Sequence, residues 1–224
     1  TIGGLARRSL ELFWPLIADQ AGFSHPDSPP TFLTMETAQY YMAAITDPLI
    51  EKEDFFSSLT IRRGRIYSQI LDNLNKAAVV GFPHTKIGER LQESWIGEPS
   101  QSRVYMDAQH CASAFRKTCL ENNLLDFSLQ IECFYRLLWP HPTFRNYFYG
   151  RYQHLIADNI EEDVPISHDL IREWLHEFDS ALLVADRMAG FRRFLGADPV
   201  SAFHLASHCD KHIQFLSADP IPDD

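Results

Sequence analysis

Apolar residues along most of this chain recur at three- and four-residue spacing, the pattern of helices with one buried face. The first such stretch runs from residue 4 to 14, with Leu5, Leu12 and Phe13 on one side and Pro15 interrupting it. The turn-rich SHPDSPP (24 to 30) separates it from the next block. There Thr34 and Thr37 have the spacing of a helix start, and Ala38, Tyr41, Met42 and Ile45 follow at helical period. A third helix is predicted from Ile61 to Val80, turning Ile66, Ile70, Leu74 and Ala77 inward, with Gly81 as its stop. A short one covers Ile87 to Trp95. From Ser102 the repeat Tyr105, Ala108, Ala112, Phe115, Cys119 is very regular, and Asn122 and Asn123 close it. The next helix carries Phe127, Ile131, Phe134 and Leu138 before Pro140 ends it.

Beyond residue 150 the texture changes. Leu155–Ile156–Ala157 is a short apolar run that ends in the acidic cluster Asp158 to Asp163. Pro165 opens a helix with the stripe Ile166, Leu170, Trp174, Leu175 and Phe178. A second apolar run, Ala181 to Ala185, ends at Asp186. Two buried strands joined by one amphipathic helix make a β-α-β unit and therefore a parallel sheet. Ligands of such sheets sit at the carboxyl ends of the strands, where Asp158 and Asp186 both fall.

Composition narrows the classes. With 224 residues and 45% apolar content, the chain can build one good-sized core or two small ones. No apolar run is long enough to span a membrane, and Arg7, Arg8 and Glu11 break any signal-peptide core, so the start reads as that of a trimmed chain. Four scattered cysteines (Cys111, Cys119, Cys133, Cys209) without a C-x-x-C pair fit a reduced cytoplasmic protein and exclude a zinc ribbon. A net charge of −10 argues against a uniformly basic nucleic-acid binder. It leaves room for local basic clusters, of which Arg62–Arg63–Arg65 and Arg192–Arg193 are examples.

Four segments resemble motifs of UvrD/Rep-like superfamily 1 DNA helicases, in the family's order. TIGGLARRSL at the start looks like T-F-H-S-x-x-x-R-x-L, and NNLLDF (122 to 127) is similar to N-x-L-D-F at the edge of the family's inserted helical subdomain. HLIADNIEED (154 to 163) looks like the magnesium-binding strand ending in D-E-x-Q-D. ADRMAGFRRFLGADP (185 to 199) aligns without a gap to G-D-x-x-Q-S-I-Y-R-F-R-G-A-D through Asp186, Arg193, Phe194, Gly196, Ala197 and Asp198. The resemblance implies an α/β, predominantly helical fold. A partial RecA-like P-loop NTPase domain with a parallel sheet (1 to 14 and 151 to 224) would carry an inserted helical subdomain (15 to 150).

The same resemblance implies roles. Asp158 matches the magnesium ligand of an ATP–Mg2+ site in the parent protein, and Asp186 belongs to the same nucleotide-binding edge. Asn159 stands where the family has the glutamate that activates water; an amide cannot accept a proton at neutral pH. Glu161 and Glu162 replace Gln and Asp and are the carboxylates left to substitute in catalysis. Ala189 replaces the phosphate-sensing Gln, Leu195 replaces an Arg, and HLASHCDK (204 to 211) lacks the arginine of L-x-x-N-Y-R-S. No G-x-x-x-x-G-K-[ST] loop is present, so ATP–magnesium should bind this chain very weakly or not at all. Phe194 matches the aromatic that stacks on a base of single-stranded DNA, with Arg193 beside it.

The expected function is thus part of an ATP-dependent DNA helicase or translocase of repair or recombination, binding single-stranded DNA but not hydrolysing ATP by itself. The alternative is a catalytically silent homologue acting as a DNA-binding or protein-interaction scaffold. Two rival chemistries are weaker. His204, His208 and His212 with Cys209 could hold zinc on one helical face, but the H-E-x-x-H pattern is absent and the segment begins like a strand. His110 and Cys111 are adjacent on a helix and so diverge, which disfavours a nucleophile–base pair.

Overall fold

The computed structural model describes residues 1–97 and 101–215, so the end of the predicted 151–224 segment lies partly outside the described residues. Helix α1 (Ile2–Phe13) is capped by Thr1, whose hydroxyl accepts the Gly4 N–H at 3.3 Å. It buries Ala6, Ser9 and Leu10, whereas Leu12, expected inward, is 59% exposed. The reason is a close approach: the Gln130 amide donates to Gly3 O at 2.8 Å, and the Phe127 ring lies against Gly3. Small residues at Gly3 and Ala6 let that side of the helix come close, which rotates Leu12 away. Pro15 lies in a 3-10 turn, Trp14–Leu16, as a helix-breaking residue should.

The SHPDSPP turn leads to β1 (Thr31–Phe32) and α2 (Met35–Lys52), which starts with a reciprocal Thr34–Thr37 capping box. Then come α3 (Arg63–Val80), α4 (Ile87–Ser94) and α5 (Gln101–Glu121). The predicted inward residues of α3 are all buried, and Gly81 ends it at φ 91°, a conformation that favours glycine. Strand β2 (Leu124–Leu125) pairs in parallel with β1. Asn123 (φ 51°) turns the chain into β2, and its amide donates to the carbonyls of His25 and Ser28, pinning the turn. Asp126 caps α6 (Phe127–Cys133) by accepting the N–H groups of Ser128 and Leu129, both at 3.1 Å. Arg116 of α5 packs buried against this cap, donating to Ser128 Oγ at 3.0 Å and pairing with Glu132 at 3.3 Å. NNLLDF is therefore a junction that ties a surface turn, a strand pair and a helix start together.

Helix α6 continues into a π-helical turn, Phe134–Leu138, before Pro140. Phe127, expected inward, is half exposed because it stands at the first position of α6, beside Gly3. After α7 (Pro142–Arg151), strand β3 (His154–Ala157), α8 (Pro165–Trp174) and β4 (Ser180–Leu183) form the predicted unit. The strands are adjacent and parallel, His154 opposite Ser180 and Ala157 opposite Leu183. They are not buried as expected: Ile156 is 75% and Leu182 55% exposed. The sheet has only these two strands among the described residues, so each strand has a strand partner on one edge alone. Helix α9 (Pro199–His204) and a 3-10 turn, Leu205–His208, follow; the segment from His204, expected to begin like a strand, enters that turn instead.

The fold is thus mostly helical with two small parallel two-stranded sheets. One continuous core runs from Ala6 through Leu74, Phe115 and Phe134 to Ile166, Leu170 and Leu205. A ring cluster joins the helices to the strand-bearing part, with the Trp139 and Trp174 centroids 5.6 Å apart. Beside it Glu173 accepts the Trp139 Nε1–H at 2.8 Å and pairs with Arg145. No helix among the described residues is long and apolar enough to cross a membrane.

Candidate functional site

At the carboxyl end of β3 the chain leaves the sheet through Asp158 and Asn159, and Asn159 adopts the left-handed conformation at φ 53°. That reversal starts a 3-10 turn, Ile160–Glu162, which lies back across the strand ends. Ile160 anchors the turn: it is buried, donates its N–H to Val184 O at 3.2 Å, and its carbonyl accepts His168 Nε2–H at 2.8 Å. The acidic cluster is thereby set against the loop that follows β4.

The carboxylates at these strand ends accept backbone N–H groups. Asp158 Oδ1 accepts the N–H of Asn159 at 2.9 Å. Glu161 is buried and accepts the Asp186 N–H at 3.2 Å, which ties the turn after β3 to the chain just beyond β4. Glu162 accepts three consecutive N–H groups, Gly190 at 3.0 Å, Phe191 at 2.9 Å and Arg192 at 2.8 Å. These donors, that of Phe191 first, hold the Glu162 carboxyl below the usual carboxylate range. Asp186 itself caps the Met188 N–H at 2.8 Å. The acidic residues thus hold backbone amides, Glu162 through both of its oxygens.

Thr1 and Leu5 of α1, Asp158 and Asn159 after β3, Trp174 of α8 and Arg192 are among the residues lining a cleft of about 430 Å³. No lysine lines it, and among the described residues no group of three His, Cys, Asp or Glu side chains could hold a metal ion. Three buried polar atoms of α8, Ser167 Oγ, His168 Nδ1 and Trp174 Nε1, have no hydrogen-bond partner. No family model matches the chain, and no curated protein matches it either.

Arg193 and Phe194 stand in a 3-10 turn, Phe191–Leu195, between Gly190 (φ 103°) and Gly196 (φ 99°). Both are exposed, the Phe194 ring at 71%. Phe191, which the sequence reading passed over, is 78% exposed and precedes Phe194 by three residues. Its signal was a second Phe flanking the Arg192–Arg193 pair; nothing in its spacing distinguished it from a core residue. The histidines group less well. His204, His208 and His212 are exposed, His208 pairs edge-on with His176 at 6.0 Å, and the helix ends at His204. His110 is exposed while Cys111 is buried, and burial pushes that thiol up to about 11.

Proposed function

We propose that this chain is an internal part of a UvrD/Rep-like DNA helicase or translocase of repair or recombination. On this reading the β3–α8–β4 unit belongs to a partial RecA-like domain, and the helices before it are the inserted subdomain. The part in hand binds single-stranded DNA and does not hydrolyse ATP. The observation that carries the reading is the parallel β3–β4 pair with Asp158 and Asp186 at one edge, followed directly by an exposed Arg193–Phe194 turn. An exposed ring beside arginines, on a chain of net charge −10, is a local exception suited to bases and phosphates.

On this reading the edge does not work as a magnesium–nucleotide site. Asp158 is turned on its own neighbour's amide, Asn159 offers no base, and Glu161 and Glu162 are engaged with backbone. Those engagements favour a second reading, in which the parent is a silent homologue that keeps the DNA surface and has lost the chemistry. DNA-stimulated ATP hydrolysis by the whole parent protein would sink that second reading.

The DNA surface is tested by fluorescence anisotropy with labelled oligo-dT at low salt. Phe194→Ala should weaken binding by the equivalent of one stacked base, about 1–3 kcal/mol. Arg193→Ala should weaken it and reduce the salt slope by about 1. Binding by the wild type that neither change weakens removes the contact assignment.

A further inference from the structure

The loop from Asp186 to Gly196 carries two exposed rings, Phe191 and Phe194, and three arginines, Arg187, Arg192 and Arg193. None of the residues in its 3-10 turn is buried, so packing does not give the turn its shape. A carboxylate does. Glu162 gathers the N–H groups of Gly190, Phe191 and Arg192, and the left-handed Gly190 lets successive amides converge on one anion. A side chain at Gly190 would collide with Pro199, whose Cγ lies 2.8 Å from the position a Cβ would take. The carboxylate's own footing is firm, because Ile160 and Glu161 in the same turn are buried and bonded to the end of β4.

We infer that Glu162 is the positioning residue of the nucleic-acid surface, holding the 190–192 backbone so that Phe191 and Phe194 form a two-ring platform for a single strand. The inference rests on the DNA reading above and adds Phe191 as its second ring. The turn kinks at Arg192, and the two exposed rings stand before and after that kink, three residues apart on one loop. Arg192 and Arg193 lie between them in sequence and supply the phosphate contacts.

The test turns on a sign. Glu162→Gln removes a negative charge next to two arginines, and charge alone would tighten phosphate binding. A glutamine offers one acceptor oxygen and sets its NH2 donors against an N–H that has lost its partner. Positioning therefore predicts the opposite: oligo-dT binding about fivefold weaker or more, as for one lost stacked base, with circular dichroism unchanged. In a Phe191→Ala/Phe194→Ala background the same change should have no further effect. Amide exchange at Gly190, Phe191 and Arg192 should accelerate in Glu162→Gln with or without DNA. Glu162→Ala should repeat these results; if it fails to fold, the glutamine variant carries the test.

Unchanged or tighter binding by Glu162→Gln, while Phe194→Ala still weakens it, overturns the positioning role and leaves the DNA reading standing. A loss that persists without the two rings overturns it as well. Unchanged amide exchange shows that the carboxylate does not hold the loop. If the wild type does not bind oligo-dT, the DNA reading falls and the platform with it.

Discussion

In the helical body, Leu74, Phe115, Phe134 and Phe144 are almost entirely sealed from water, within a core fed by α1, α3, α5, α6 and α7. In the β3–β4 pair, side chains just as apolar, Ile156 and Leu182, face solvent. Parallel strands are ordinarily covered on both faces, and an isolated pair of strands is marginal in water. Here Leu155, Ala157 and Leu183 are partly buried against the core, while Ile156 and Leu182 between them stay exposed. The same kind of sequence run thus has two fates, decided by whether another layer lies opposite it. The difference also sorts the polar groups: in the body, Arg116 and Asp126 are buried at a helix start, whereas at the strand ends Glu162 reaches the backbone of an exposed loop.

The contrast breaks most visibly under truncation. Phe134→Ala should cost about 3–5 kcal/mol in urea unfolding, as large buried aromatics do. Leu182→Thr should stay within about 0.5 kcal/mol, as surface substitutions do. A Leu182→Thr cost as large as that of Phe134→Ala would mean that the sheet is covered in solution, and the comparison would fail.

A smaller effect is expected where the two regions join. Glu173→Ala leaves the Trp139 Nε1–H and the Arg145 guanidinium without their shared acceptor. A loss of about 1.5–3 kcal/mol follows from one hydrogen bond to a charged group, read as an earlier denaturation midpoint. Tryptophan fluorescence and circular dichroism should still coincide, because the core is continuous. Separate transitions would show that the regions unfold independently.

The smallest effect is electrostatic. Backbone donors lower the Glu162 pKa in the folded state, so its contribution is present above the ordinary glutamate value of about 4.3 and is lost as pH falls through the lower folded value. The amide shifts of Gly190, Phe191 and Arg192 should be flat from neutral pH into the mildly acidic range, then move together in stronger acid. Movement between pH 6 and 8 would point to a different group as the latch.

Much of the helical body was legible because its signals are local. The Ile66, Ile70, Leu74, Ala77 stripe, the Thr34–Thr37 cap and the Gly81 stop each need only neighbours in sequence. Where partners are distant, the reading slipped. Leu12 turned outward because Gly3 and Gln130, 127 residues apart, fix the rotation of α1. The β1–β2 pair went unseen because two-residue strands carry no periodicity. At the candidate site the positions of Asp158, Asp186, Arg193 and Phe194 could be read from motif-like strings, but the employment of Glu161 and Glu162 could not. Their acceptors reach across 25 to 30 residues to backbone amides that have no letter in the sequence.

By itself, then, the sequence determined the helical texture of the body, the strand–helix–strand order after residue 150, the parallel pairing that order requires, and the acidic edge at the strand ends. Periodicity and chain connectivity suffice for those, since each follows from contacts within an element or between neighbours along the chain. Only the tertiary structure decided which apolar residues are covered, which face α1 turns inward, and that Glu162 holds the loop bearing Phe191 and Phe194. Burial and hydrogen-bond geometry depend on which layers meet in space, and a backbone N–H becomes a partner only once the chain has folded.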